Sequence, residues 1–145
     1  MTRDYYGTKR ITAWAQEKGG KPGYAVKYPD GYISWSPKEV FESAYQPITS
    51  MSFGHAVEAL KCGKKVARAG WNGKGMWLEL VLSIHDIPPL GAKIPIYRLT
   101  IDTEDAPGPT ALPWLGMKTA DNKFVPWLAS QTDVLANDWL ILGER

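Results

Sequence analysis

The chain is organised around one stretch, Ala67-Arg68-Ala69-Gly70-Trp71-Asn72-Gly73-Lys74-Gly75-Met76-Trp77-Leu78. Its glycines let backbone N–H groups line a concavity, while its tryptophans and its lysine suit a flat ring and a phosphate. The same pattern is typical of a glycine-rich connection between two strands, with both tryptophans in the core. This stretch alone leaves both interpretations open.

The segments on either side of this stretch predict an α+β fold, in which a small antiparallel sheet is packed around a central helix. The helix runs from Phe53 to Cys62, with Ser52 as its N-cap and Gly63 just past its end. The run from Met76 to Leu82 is the strongest strand, with Trp77 and Glu79 on one of its faces. Further along, residues 114–127 read as a β-hairpin, and residues 138–142 form a closing strand. We assign Trp77 and Trp139 to the core.

The first 48 residues predict a separate β-β-β-α module, and residues 49–145 form the main domain. Short strand patterns alternate with turn formers, and a helix follows Ser36-Pro37, where Ser36 is the expected N-cap. The aromatic side chains of this module suit either a binding face or a core. Its small size favours the core for all four, which are Tyr24, Tyr28, Tyr32 and Trp35.

The composition of the chain excludes several classes of protein and several kinds of site. The chain has 145 residues, a net charge of +2, seven tryptophans and a single cysteine, Cys62. This charge is too small for a surface dedicated to coating nucleic acid, and one cysteine allows no disulfide framework or cysteine-based zinc site. No stretch is apolar enough to span a membrane, so we expect a soluble, intracellular protein.

Catalytic motifs are missing from the sequence. His55 and His85 lie in no metal-ligand spacing, and there is no nucleophile elbow, P-loop or dinucleotide fingerprint. The acidic residues between 102 and 105 fit a solvated loop tip better than a catalytic pair. We therefore expect no enzyme, no metal and no cofactor.

Binding is better supported than catalysis. Tryptophans are numerous after residue 70, and polar groups able to form directed hydrogen bonds lie beside them in two clusters. These polar residues are Asn72, Lys74, Ser130, Gln131, Thr132 and Asp133. They favour a small, flat, phosphate-bearing ligand, and the choice between nucleotide, oligonucleotide and sugar stays open.

Two long motifs resemble a family of small phage proteins. The first covers Met51-Ser52-Phe53-Gly54, then Ala56 to Arg68 and Gly70-Trp71-Asn72-Gly73-Lys74-Gly75-Met76. The second covers Met117-Lys118-Thr119-Ala120-Asp121 and the run from Val125 to Trp139. The family is that of the anti-Thoeris "sponge" proteins, formerly a domain of unknown function. Its members sequester the cyclic ADP-ribose signal of bacterial Thoeris immunity, and some are implicated in trapping cyclic oligonucleotides.

This resemblance implies a protein that binds a cyclic nucleotide signal without degrading it, in the cytoplasm of the infected bacterial host. It also implies a homo-oligomer, typically a tetramer, with ligand pockets between protomers. The pocket residues that it indicates are Phe53, Trp71, Asn72, Lys74, Met117, Thr132 and Asp133. Phe53 and Trp71 would stack on the base, Asn72 and Asp133 would bond ribose or base, and Lys74 would meet phosphate.

Two parts of the chain fall outside these motifs. Residues 1–48 resemble an accessory segment of other phage proteins, carried by Tyr28-Pro29-Asp30-Gly31-Tyr32 and Trp35-Ser36-Pro37. Residues 83–113 vary between family members and are where ligand preference would be set. The alternative function is a module that binds single-stranded nucleic acid through tryptophan stacking, against which the small net charge argues.

Overall fold

The computed structural model describes residues 1–83, the strand at 98–100 and residues 112–144. The predicted acidic loop tip and most of the variable segment therefore lie outside the described residues. The chain divides into two compact units, Met1–Gln46 and Pro47–Arg145. The sequence placed this division two residues later. Ile48 belongs to the second unit because it packs against that unit's core and its carbonyl accepts from the Ile141 N–H at 2.9 Å.

The first unit is a three-stranded antiparallel sheet followed by one helix. Its elements are β1 (Thr12–Ala15), β2 (Gly23–Lys27), β3 (Ile33–Pro37) and α1 (Lys38–Ala44). The strand order is β1-β2-β3. Helix α1 packs on one face of the sheet, where the Tyr24 and Phe41 rings stack with centroids 4.2 Å apart.

Two expectations for this unit were wrong. Ser36 is not the N-cap of α1, because β3 continues through it and Pro37 occupies the cap position without a side-chain hydrogen bond. Tyr32 is not a core residue. It follows the turn at Asp30, whose carboxylate accepts from the Tyr32 N–H at 3.0 Å, and this turn leaves the Tyr32 ring largely exposed.

The second unit places a helix on a larger sheet. Its elements in chain order are α2 (Phe53–Lys61), β4 (Val66–Arg68), β5 (Trp77–Ser83), β6 (Arg98–Thr100), β7 (Trp114–Lys118), β8 (Phe124–Pro126), α3 (Gln131–Val134) and β9 (Trp139–Ile141). Five strands pair antiparallel in the order β8-β7-β5-β4-β9, and β6 pairs parallel to β5. The predicted α+β fold and the 114–127 hairpin are confirmed.

Local sequence signals position α2 as predicted. The Ser52 hydroxyl accepts from the His55 N–H, and Gly63 adopts a φ of 76° just past the helix. Ala56 and Leu60 face the core of the unit, together with Leu78 of β5. The central residue of this core is Trp139, whose assignment is confirmed because it is fully buried.

The face of the sheet away from α2 carries a second set of aromatic residues. Strand alternation turns Trp77 to this face, where its ring lies half-buried with its centroid 6.2 Å from that of Phe124. The assignment of Trp77 to the core is therefore wrong. The Phe124 ring itself lies directly over Gly116, where any Cβ would overlap it. Within the described residues, no helix has the length and apolar character needed to cross a membrane.

Candidate functional site

The glycine-rich stretch forms a tight loop between β4 and β5. A single 3₁₀ turn, Ala69–Trp71, follows β4 directly. Asn72, Gly73 and Gly75 then take positive φ values of 56°, 67° and 70°. Only Gly, and less often Asn, adopts this conformation at low cost, so these residue types are what allow the chain to turn back so sharply. The Lys118 ammonium holds the far side of the loop by donating to the Gly75 carbonyl at 3.0 Å.

The loop closes over one end of the sheet and leaves a cavity of about 250 Å³. Its walls are the glycine-rich loop, β4 and the two residues around the end of β9, all within the second unit. The lining residues are Ala67, Arg68, Ala69, Trp71, Gly73, Lys74, Gly75, Met76, Trp77, Leu140 and Leu142. A concavity at this loop is one of the two interpretations that the sequence left open, and the structure contains a cavity there.

Trp71 connects the cavity to the core. Its ring meets the ring of Trp139 edge to face, with centroids 5.4 Å apart, and Trp71 also lines the cavity. Trp77 also lines the cavity, and the Lys65 ammonium, outside the lining, lies 4.2 Å from the centroid of the Trp77 ring. The cavity is thus walled by two aromatic rings and has the positive charge of Lys74 at its edge, which suits a flat, anionic ligand.

An ion-pair network anchored by Arg68 fixes the start of the loop. Its guanidinium donates to Asp138 through Nε and to Asp133 through Nη1, each at 2.8 Å. The second oxygen of Asp138 accepts the Gly70 N–H at 2.8 Å. Arg68 therefore ties the glycine-rich loop to the C-terminal motif, which lies 65 to 70 residues away in sequence.

These contacts shift the pKa values of all three side chains. Hydrogen bonds to Asp138 and Asp133 raise the pKa of Arg68. The hydrogen bond from Arg68 lowers the pKa of Asp138 and outweighs the effect of burial. Burial favours a higher pKa for Asp133, but hydrogen bonds from Arg68 and Ser130 outweigh it, so this pKa also lies below the ordinary value. The network is consequently charged at neutral pH.

The seven predicted pocket residues divide into two groups. Trp71 and Lys74 line the cavity, and Asn72 lies exposed between them. Asn72 and the other four lie outside the lining. Phe53 packs on Trp127 and Trp139, and Met117 packs against the core. Thr132 is exposed on α3. One carboxylate oxygen of Asp133 accepts from Arg68 and the other accepts from Ser130.

Sequence reasoning missed Arg68 and the apolar floor of the cavity. Arg68 ends a strand whose other residues are buried, and a cation in such a position needs acidic partners. That signal was present, but nothing in the sequence shows that Asp133 and Asp138 supply them. Leu140 and Leu142 looked like ordinary strand residues, and only the pairing of β9 with β4 brings them under the loop.

The lining of this cavity is aromatic, apolar and basic. Within the described part of the chain it contains no carboxylate, histidine, cysteine or hydroxyl side chain that would act as a nucleophile or general base. Its one guanidinium is already paired with two carboxylates. The other lining residues supply aromatic surface, an apolar floor, glycine backbone and a lysine.

Comparison with known proteins places the second unit in a family. The model of the Thoeris anti-defense 2-like domain matches residues 51–142. Thoeris anti-defense 2 of Bacillus phage SP01 is 44% identical over 95 residues, which are 66% of this chain and 98% of that protein. The match includes the glycine-rich loop, Arg68 and both of its partners. The chain therefore belongs to the Thoeris anti-defense 2-like family.

Proposed function

We propose that this protein counters Thoeris defence by binding and sequestering a cyclic nucleotide immune signal of the cyclic ADP-ribose type, without degrading it. Family membership supports the anti-defence role. The observation that carries the rest is the cavity under the glycine-rich loop, whose lining within the described residues combines aromatic walls and a lysine and holds no carboxylate, histidine, cysteine or hydroxyl side chain. The site of action would be the cytoplasm of the infected host.

Three residues of the loop would contact the ligand directly. We assign Trp71 to stacking on the base, because its ring already lines the cavity and is braced by Trp139. Lys74 would meet a phosphate, and the Asn72 amide would bond a ribose hydroxyl. Both side chains are exposed and free of the steric constraints of the core.

The other four predicted residues would act around the loop. Phe53 and Met117 would support the core beneath Trp71, and Asp133 would hold Arg68 and so the loop entrance. Thr132 is exposed on the short helix α3. It would therefore contact the ligand that is bound by a neighbouring protomer. In this assignment Phe53 and Asp133 shape the site rather than touch the base.

The size of the cavity supports a pocket shared between protomers. Ligand pockets usually enclose about 300–1,000 Å³, and this one is smaller at about 250 Å³. Large apolar side chains are exposed near α3, with Leu128 at 91% and Leu135 at 76%. Such exposed apolar groups are typical of surfaces that pack against another chain. We propose a homo-oligomer, and a tetramer as the family resemblance implies.

A thermal-shift panel tests the site. Purified protein is heated with cyclic ADP-ribose isomers and with cyclic dinucleotides, each in large excess. A ligand that binds only the folded state at 100 times its Kd adds about 2.7 kcal/mol of apparent stability, which raises the melting temperature by several degrees. We expect Trp71→Ala to lose this shift while staying folded. An unchanged shift in that variant would remove Trp71 from the site.

A further inference from the structure

The first unit presents an exposed aromatic surface on the face of its sheet opposite α1. Cross-strand register aligns Trp14 with Ala25 and Ala25 with Trp35, so all three point to the same side. Ile33 and Lys27 are aligned on this side as well. We call this set of residues, Trp14, Ala25, Lys27, Ile33 and Trp35, the aromatic face.

The outer side chains of this face are accessible to a large partner, whereas Ala25 between them is buried. The Trp14 side chain is 43% exposed and that of Ile33 is 51% exposed. Neighbouring strands lie about 4.8 Å apart, so Trp14 and Trp35 stand about 10 Å from each other across the small side chain of Ala25. An open concavity of about 450 Å³ lies beside this row, lined by Ala25, Ile33 and Trp35 among others.

Trp35 is held as a rigid platform on the aromatic face. Its indole N–H donates to the Gln16 carbonyl at 2.7 Å, and its ring lies across Gly23, where any Cβ would overlap it. The Lys18 ammonium stands 5.9 Å from the centroid of the same ring. A flat ring fixed in this way, with a lysine beside it, binds a planar ligand at little cost in side-chain entropy.

The distribution of charge indicates the sign of the partner. Residues 1–46 carry seven Lys and Arg against five Asp and Glu, so the net charge of +2 belongs to this unit and the remainder of the chain balances to zero. This charge is too small for a surface that coats nucleic acid, but a short site needs only the two lysines that lie here: Lys18 lines the concavity and Lys27 lies on the aromatic face. Two of the five acids, Glu39 and Glu42, lie on α1, which packs on the opposite face.

We propose that the aromatic face of the first unit binds single-stranded nucleic acid. Bases would stack on Trp14 and Trp35, and Lys18 and Lys27 would contact the phosphates that join them. A spacing of about 10 Å suits bases splayed onto separate rings of a sheet surface, as in sheet-based RNA-binding modules. This site is distinct from the glycine-rich cavity, and the inference does not rest on the proposed sequestration.

A proline-rich peptide is the other macromolecule that such aromatic surfaces bind. That class of ligand needs aromatic grooves but no phosphate-directed charge. The two lysines on the same side as both tryptophans therefore favour the nucleic acid, because they match the regular negative charge of its backbone.

The test measures fluorescence anisotropy of a fluorescein-labelled 12-nucleotide oligodeoxythymidylate titrated with the full-length protein. At low salt, we expect binding in the micromolar range, as for other sequence-independent contacts. Trp14→Ala should weaken it about tenfold, and Trp14→Phe should restore most of the loss because phenylalanine still offers a ring for stacking. Circular dichroism checks that each variant is folded.

The salt dependence separates charge contacts from stacking. Lys18→Ala/Lys27→Ala should reduce the slope of log Kd against log salt by about 1.4, which is the effect of two phosphate contacts on a single strand. Lys61→Ala/Lys123→Ala removes the same charge from exposed positions of the second unit and should leave the slope unchanged. Trp71→Ala should also leave oligonucleotide binding unchanged.

Three results would overturn the proposal. The first is the absence of an anisotropy change with protein at 1 mM, about ten times the weakest Kd usual for such contacts. The second is equal affinity of the wild type, the Trp14→Ala variant and the Lys18→Ala/Lys27→Ala variant. The third is that a labelled proline-rich peptide binds through Trp14 while the oligonucleotide does not, which would assign the aromatic face to the other class of partner.

Discussion

At the residue scale, Arg68 does more to hold the site together than any residue singled out from the sequence. It joins the end of β4 to Asp133 of α3 and to Asp138 ahead of β9, and Asp138 in turn holds the Gly70 N–H. The Arg68 and Asp133 side chains are only about one-sixth exposed, so this pair is screened far less than a surface salt bridge. The same residue therefore stabilises the fold and orients the loop that carries Trp71.

Replacing Arg68 should destabilise the second unit. Arg68→Ala removes hydrogen bonds to two carboxylates and leaves both without their cation, so we expect a loss of about 2 kcal/mol in the free energy of unfolding. Arg68→Lys keeps the charge but cannot reach both acids with a planar fork, and it should lose less. Urea unfolding followed by tryptophan fluorescence measures both. A loss below about 0.5 kcal/mol in Arg68→Ala would show that the network contributes little.

The stabilisation by this network should disappear in acid. The pKa values of Asp133 and Asp138 are lowered in the folded state, whereas in the unfolded chain both are near the ordinary value of about 3.9. The network therefore stabilises the fold fully above about pH 4, and this stabilisation is lost as the pH falls through the lower folded-state values. Unfolding at pH 7, 5 and 3 should show the wild type approaching Arg68→Ala at the lowest pH. A constant difference between the two proteins would contradict this assignment.

At the scale of single elements, the hairpin of β7 and β8 depends on a glycine for packing. The Phe124 ring lies over Gly116 and between the rings of Trp77 and Trp114, whose centroids are 6.2 and 5.9 Å from that of Phe124. Gly116 lies opposite Glu79 in the β5–β7 pairing, so this cluster covers the middle of the sheet. The aromatic rings pack here because one strand position lacks a side chain.

Gly116→Ala should destabilise the hairpin by about 1–3 kcal/mol, because the new methyl group overlaps the Phe124 ring and forces it out of place. Gly54→Ala is the matched control. Position 54 lies in α2, and the nearest atom to a new Cβ there is the Ser52 hydroxyl oxygen at 3.8 Å, so alanine should be neutral or stabilising. Thermal unfolding of the two variants measures the contrast. Equal stability would show that Phe124 moves aside at no cost.

The sequence predicts an element of this fold correctly when the residues that determine the element are close together in the chain. Ser52 and Gly63 define α2 because capping acts over three or four residues, and the hairpin at 114–127 follows from its turn. Ser36 failed as a cap because pairing with β2 keeps the next residue, Pro37, extended as well, so the helix begins at Lys38 and Pro37 is its N-cap. Trp77 failed as a core residue because the sequence shows which residues share a face but not which face meets the helix.

The candidate site was only partly predictable, because its residues come from parts of the chain that are distant in sequence. Glycine and asparagine identified the loop, and Trp71 and Lys74 do line a cavity there. Arg68 and its two acids lie 65 to 70 residues apart, and such a pairing follows from the order of strands rather than from spacing. The core residue Trp139 contacts Phe53, Trp71 and Asp133. No pattern in a single sequence predicts these contacts.

At the scale of the whole molecule, we propose a different partner for each of the two units. The family match covers only the second unit, from residue 51 to residue 142. That unit holds the glycine-rich cavity and the exposed leucines near α3. The first unit carries the net positive charge and the aromatic face. We therefore expect substitutions in one unit to leave the function of the other unchanged.

The exposed leucines should matter for assembly. Leu128→Asp/Leu135→Asp places two charges on the proposed contact surface, and desolvating them would cost several kcal/mol, so we expect dissociation to smaller species. Val40→Asp, on the exposed side of α1, is the control and should keep the wild-type mass. Light scattering after size-exclusion chromatography reads out the mass. A monomeric wild type would contradict the proposed homo-oligomer.

We propose that the protein captures a cyclic nucleotide and releases it intact. The direct measurement is to load the protein with a cyclic ADP-ribose isomer, remove free ligand, denature by heat and identify the released molecule by mass spectrometry. We expect the unchanged ligand from the wild type, in a fixed ratio to protomers, and almost none from Trp71→Ala. Release of a ring-opened or hydrolysed product, or equal capture by the Trp71→Ala variant, would contradict the account.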